Sequence, residues 1–206
     1  MLPGMKHSAI RADKQDPADI ILAAAIKRFS EYGYNKTTMA EIADDADMSA
    51  ANIYRYFKNK EEIAAVCAKN FMSERTESLK NIIRNTRLNA IEKLKKYIFT
   101  NLEISQQKAL ENKKIDEVCA EITKNRTDLV HEKINGEIAL LMEILSYGNQ
   151  TGEFNVDNVM ETAASIHAML VVFDVPMFMH LFSEEEFEHK ADSVLKILIT
   201  ALKTGI

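Results

Sequence analysis

The sequence predicts an all-α protein: an N-terminal three-helix unit with a tight helix-turn-helix, then a larger helical domain. Three observations carry this prediction. With only 3 prolines and 6 glycines in 206 residues, long irregular segments have little room. Apolar residues recur at three- and four-residue spacing, and no run alternates strictly as a half-buried strand would. Helix-start signals of the S/T-x-x-E type appear at Thr38–Glu41 and Ser183–Glu186.

Residues 1–15 carry no pattern and read as a flexible arm. Asp16 is then placed to cap a helix, with Pro17 in its first turn and Asp19 at the positive end of its dipole. Ile21, Ala25, Phe29 and Tyr32 share one face, and Gly33 is suited to end the helix. Thr38 opens a short helix with Met39, Ile42, Ala43 and Ala46 on its apolar side. Asp45-Ala46-Asp47 breaks it, and Ser49 caps a helix of barely two turns, Ala50 to Phe57. Asn59 with Glu62 starts an exit helix that runs at least to about Met72, with no Gly- or Pro-rich linker behind it. Further helices are expected over 85–110, 115–123 and 126–147, then a loop at 148–154. A helix over about 157–182, kinked near Pro176, and a last one over about 184–203 complete the chain. The implied domains are a helix-turn-helix unit over 16–62 and a larger helical domain over 63–206.

Charge and composition exclude several classes. Hydrophobic residues are 47% and charged residues 28%, an ordinary globular balance, with a net charge of -5. The most lipophilic stretch, 163–182, contains His167, Asp174, Pro176 and His180, a poor set for a membrane span. No secretory leader is visible, so a reducing cytoplasm is expected, with Cys67 and Cys119 as free thiols. No nucleophile elbow, Gly-rich phosphate loop or H-E-x-x-H motif is present, so no enzyme, metal centre or cofactor is expected.

The stretch "MSAANIYRYFKNK", residues 48–60, combines Tyr54, Tyr56 and Phe57 with Arg55, Lys58 and Lys60 and contains no acid. A helix this short needs bracing by neighbours. Ile53 and Phe57, four apart, can dock into the core built by Ile21, Ala25, Phe29 and Ile42. Ala50, Ala51, Asn52, Arg55 and Tyr56 are left on the other face. Asn and Arg can pair with base edges, and Ala can touch a thymine methyl. Tyr54, Lys58 and Lys60 are candidates for phosphate contacts around it.

Residues 37–63, "TTMAEIADDADMSAANIYRYFKNKEEI", resemble the DNA-binding signature of the tetracycline-repressor (TetR) family, and the detailed likeness spans Asp16 to Val66. The resemblance implies that Thr38 caps the first helix of the motif against a phosphate. It places Ala50, Ala51 and Asn52 at the groove-facing start of the recognition helix, and gives Tyr54 and Lys60 to the DNA backbone. Asp47 stands where the family usually has glycine, and Ala51 where it often has glycine or proline.

The resemblance also implies a second half with a small-molecule pocket and a dimer contact, and hence a ligand-responsive repressor acting on double-stranded operator DNA as a homodimer. A regulator controlled by a protein partner, or by dimerisation alone, is the alternative; a cavity in the second domain would favour the ligand. From the residues themselves, Phe187, Ala191, Val194, Leu195, Leu198, Ile199 and Leu202 form one stripe on the last helix. Residues 163–173 are apolar almost all round, Leu170 among them, so this stripe and Leu170 are assigned to the partner chain. Phe99, Leu102, Met142, Tyr147, His167, Met169 and Phe173 are the candidate pocket residues.

Overall fold

The computed structural model describes residues 16–205; the arm expected over 1–15 lies outside the described residues. Among them are nine α-helices and no strand. α1 (Pro17–Tyr32) begins as expected, with the Asp16 carboxylate accepting from Ala18 N–H at 2.9 Å. It ends at Gly33, whose φ of 89° suits glycine alone. α2 (Met39–Asp45) carries both halves of its capping box between Thr38 and Glu41. Asp47 turns the chain at φ 53°, the left-handed conformation that the usual glycine would have taken.

α3 (Ala50–Ile53) is one turn rather than two. After Ile53 the ladder tightens: Arg55 and Tyr56 N–H bond three residues back, to Asn52 and Ile53 carbonyls. Ile53 and Phe57 nevertheless enter the first core, with Ile21, Ala25, Phe29 and Ile42. That core also takes Ile63, Ala64 and Ala65 of the next helix and Ile122 and Leu129 from much later in the chain. Both halves of the chain therefore contribute to this first core.

α4 (Lys60–Ile83) is 24 residues, twice the minimum the sequence suggested. At 1.5 Å per residue it spans about 36 Å. Its far end joins the second core, built by α5 (Ala90–Glu111), α7 (Thr127–Thr151), α8 (Val159–Asp174) and α9 (Glu184–Thr204). α6 (Ile115–Asn125) bridges the two cores. α5 starts later than the periodicity suggested, because Asn89 and Glu92 form a capping box.

Two differences come from glycine and proline. The expected loop over 148–154 is helical through Thr151, and Gly152 at φ 74° ends α7 instead. Gly148 is there for room: a Cβ on it would lie 2.0 Å from the Phe154 ring, which packs against the helix at that point. α8 does not run kinked to 182. Val175, preceding Pro176, is extended at φ -110° and ψ 117°, and a single 3-10 turn (Pro176–Phe178) follows.

The stripe on α9 faces inward. Phe187, Ala191, Leu195, Leu198 and Leu202, with Leu170 on α8, are buried in the protein's own second core, and Val194 packs against that core half-buried. Their assignment to the partner chain is therefore corrected. In a domain of four main helices the apolar stripe of the last one is consumed in covering the other three. What α8 and α9 expose is different: Met160, Ala164, Ala168 and Met169 on one, and Ile197, 67% exposed, on the other.

Candidate DNA interface and effector cavity

The recognition segment is held from behind and open in front. Ser49 Oγ accepts from Asn52 N–H at 3.2 Å, and Arg28 clamps α1 to α2 through Asp45 at 2.6 and 2.9 Å and Glu41 at 3.2 Å. Thr38, Ala50, Ala51, Tyr54, Arg55, Tyr56 and Lys58 are all exposed, and Asn52 is half-buried. Eight of the nine residues expected at DNA are thus exposed or half-exposed. Lys60 is the exception. Its ammonium turns inward and donates to the carbonyls of Tyr34 at 2.6 Å and Thr37 at 2.8 Å, 4.2 Å from the centre of the Tyr34 ring. Burial holds its pKa below the ordinary lysine value.

A cavity of about 280 Å³ lies between the two cores. Ile26 and Phe29 of α1 form one wall; Cys67, Ala68, Phe71 and Met72 of α4 another. α6 contributes Ile115, Val118, Cys119 and Ile122, and Val130, Ile134 and Val171 close the apolar lining. Of the expected pocket residues only His167 reaches it. Leu102 and Phe173 are buried core, and Phe99 packs on that core. Met169 is exposed on the outside of α8. Met142 and Tyr147 border a separate open groove. These six assignments are corrected. The physical reason is that side chains along α5 and α7 fill the second core, while the gap opens where α6 spans the two cores.

The polar end of the cavity is an ionic cluster drawn from four helices. Arg75, 3% exposed, donates from Nε to Asn101 Oδ1 at 2.9 Å and from Nη1 to the Asp174 carbonyl at 2.7 Å, and also contacts the Asp174 carboxylate. Lys133 pairs with Glu137 at 2.9 Å and with Asp174, and His167 Nε2 lies 3.0 Å from Glu137. Burial pushes the Glu137 carboxyl up, but His167, Lys133 and Arg75 together outweigh it and hold the pKa below its ordinary 4.5. The unfolded chain binds that proton more readily, so this contribution to stability is complete above pH 4.5 and is lost as pH falls through the folded value. Urea midpoints measured from pH 6 to 3 should fall steeply below 4.5, and Glu137→Gln should make the fall shallower.

Glu137, His167 and Asp174 offer atoms close enough to share a metal ion. Arg75 and Lys133 already neutralise both carboxylates, so the set reads as an ion-pair cluster. Cys67 and Cys119 border the cavity as free thiols, pushed up by burial to about 12 and about 11. They are protonated and poor nucleophiles at neutral pH.

α6 touches the DNA-side unit directly. Asn35 N–H donates to Glu117 Oε2 at 3.0 Å and the Tyr34 hydroxyl to Glu121 Oε1 at 2.9 Å. The Glu117 carboxylate sits 2.5 Å from where a Cβ of Gly33 would be. One helix is thus both a wall of the cavity and a strut against the turn that precedes α2. The sequence reading missed this, along with Arg75, Lys133, Glu137 and Asp174 as a set. The i,i+4 spacing of Lys133 and Glu137 and the lone Asp174 in an apolar helix were the available signals.

Two family models match the chain and between them span both halves. The N-terminal model of bacterial regulatory proteins, tetR family, matches residues 21–67, and the tetracyclin repressor-like C-terminal domain matches residues 90–195. The chain belongs to the tetR family. It is a DNA-binding transcriptional regulator of a family that is not enzymatic. This tetR-family chain is 24% identical over 187 residues to the fatty acid metabolism regulator protein of Bacillus subtilis, covering 88% of the chain and 93% of that protein. It is 46% identical over 48 residues to the uncharacterized HTH-type transcriptional regulator YhgD of the same organism, a match spanning only 25% of that protein's length. Its fold is that of the fatty acid degradation regulator FadR from Bacillus halodurans, with a TM-score of 0.65 at 23% identity over 90% of this chain and 96% of that one. A transcriptional regulator from Cytophaga hutchinsonii gives 0.70 at 25% identity, over 88% and 96%. Among the described residues no helix is long and apolar enough to cross a membrane.

Proposed function

We propose that the protein is a dimeric repressor of an inverted-repeat operator, released by a mostly apolar small molecule bound between the two cores. The carrying observation is the cavity itself. Its 280 Å³ lies just below the roughly 300–1,000 Å³ of small-molecule sites, and its lining is apolar with a few polar groups at one end. Control by a protein partner alone would leave such a gap without purpose. Two relatives named for fatty acid metabolism or degradation support an acyl-chain compound as the effector. Straight-chain fatty acids of increasing length, added to a gel-shift with operator selected from random duplexes, test this. Release that rises with chain length and then stops is the expected result; no release by any of them refutes this effector class.

In this reading residues 16–62 read DNA and the rest holds effector and partner. Ala50, Ala51, Asn52, Arg55 and Tyr56 face base edges, and Thr38, Tyr54 and Lys58 face phosphates. Lys60 serves mainly to hold the 34–37 turn. Lys58→Ala should therefore lower the salt slope of operator binding by about one unit. Lys60→Ala should change that slope little and instead cost roughly 1.5–3 kcal/mol of folding stability, the range for hydrogen bonds to a charged group. A salt slope reduced equally in both variants would restore Lys60 to the phosphates.

The exposed faces of α8 and α9 then form the dimer contact. Ile197→Asp should give a folded monomer that no longer prefers paired half-sites about one helical turn apart. Leu198→Asp, a carboxylate in the protein's own core, should unfold the chain instead. Ultracentrifugation and circular dichroism separate the two outcomes.

A further inference from the structure

The open groove bordered by Met142 and Tyr147 lies at the far end of the second core from the DNA-side unit, where α4 ends and α5 begins. Its floor holds Lys93, a residue only 6% exposed. The Lys93 ammonium lies 3.6 Å from the centre of the Tyr147 ring. Among the described residues no hydrogen-bond acceptor and no carboxylate takes its three N–H donors. The nearby Glu153 is spent on the backbone N–H groups of Ala90 and Ile91, at 3.0 and 3.4 Å. Lys93 also sits in the first turns of α5, where the helix dipole adds positive potential. The stem of Lys93 is covered while its ammonium opens to the groove, where water or an anion is its remaining partner.

The other polar groups of the groove suit an anion in that place. Arg84 pairs with Glu143 at 3.2 Å, but both are well exposed, so this pair is weak and easily exchanged. Ser146 and Gln150 add a hydroxyl and a side-chain amide on the same side of α7, four residues apart. Two cations with hydroxyl and amide donors match an oxyanion that has several acceptor oxygens. Ile83, Ala139 and Met142 give the groove an apolar flank beside them.

We propose that this groove is a second ligand site, distinct from the effector cavity, which binds a phosphate group through Lys93 with Arg84 in support. The group could arrive as inorganic phosphate or on an organic phosphate ester, and the apolar flank distinguishes the two.

The test is calorimetric titration of the full-length protein with inorganic phosphate and, separately, phenyl phosphate, at constant ionic strength. Wild type should show saturable binding of one phosphate group per chain. Lys93→Met should weaken it at least tenfold, Arg84→Gln several-fold, and Lys93→Arg should retain it. Lys108→Met, at the effector cavity, should leave it unchanged. Tighter binding of phenyl phosphate assigns the site to an organic ester, and equal binding to the free ion. Melting curves check that each variant is folded; if Lys93→Met is not, Arg84→Gln and Lys93→Arg carry the test. Absence of saturable binding by wild type, or affinity in folded Lys93→Met or in Arg84→Gln equal to that of wild type, would overturn the proposal.

Discussion

Arg75→Met will cost about 3–5 kcal/mol of stability, the range for removing one partner from a buried ion pair. The guanidinium lies inside the protein, held by Asn101, by the Asp174 carbonyl and carboxylate, and near Glu137 at 3.8 Å. Methionine matches its length but leaves Lys133 alone to balance two carboxylates. The Asn101 oxygen and the Asp174 carbonyl also lose donors, and only Ser105 Oγ, at 2.9 Å from that carbonyl, remains. Arg84→Met is the control. Its pair with Glu143 is exposed, and surface pairs contribute about 0–1 kcal/mol. Urea unfolding at one fixed protein concentration decides, because the stability of a dimer, the state proposed above, depends on concentration. A loss below about 1 kcal/mol for Arg75→Met would mean that the cluster does not hold the four helices together.

Operator DNA will weaken effector binding by the same factor by which effector weakens operator binding, about 5- to 150-fold if the coupling lies in the typical range of 1–3 kcal/mol. The route is α6. An effector that fills the cavity presses on Val118, Cys119 and Ile122 of that helix. Glu117 and Glu121 on its other side hold Asn35 and Tyr34. Displacement of α6 therefore reaches the turn before α2, and two recognition segments in a dimer lose their spacing. Calorimetric titration of an effective fatty acid with and without operator measures the coupling. In the double variant Glu117→Gln, Glu121→Gln the factor should shrink towards one while effector affinity stays near wild type. Equal effector affinity with and without operator in the wild type would refute the switch even if the ligand binds tightly.

Local chemistry made the N-terminal unit legible. Thr38 with Glu41, Ser49, Asn59 and Asp16 each announce a helix start by hydrogen bonds that span three residues or fewer, and each cap is present. The Ile53–Phe57 pair shows its buried face within one turn. The second domain hid more, because periodicity tells which face of a helix is apolar and not what will cover it. Leu198 and Ile197 are neighbours of equal hydrophobicity, yet one is core and the other surface. The ionic cluster joins positions 75, 133, 137 and 174, so no short window contains it. The cavity is harder still, since Cys67, Val118 and Ile122 differ from ordinary core residues only in what fails to touch them. The contacts of Lys60 were hidden for a related reason: the carbonyls of Tyr34 and Thr37 that take its ammonium lie more than twenty residues away.

Ile26 and Phe29 sit on the first helix of the DNA-side unit and also line the cavity. The two halves of this regulator are consequently not interchangeable parts. A hybrid that joins residues 16–58 of this chain to the remainder of a relative would carry away one wall of the cavity along with the DNA-reading residues. Substitutions on the inner side of α1, selected for nothing but a new promoter, would retune the chemical signal as well. Under the proposed function, the choice of gene and the choice of inducer are written partly in the same residues of this protein.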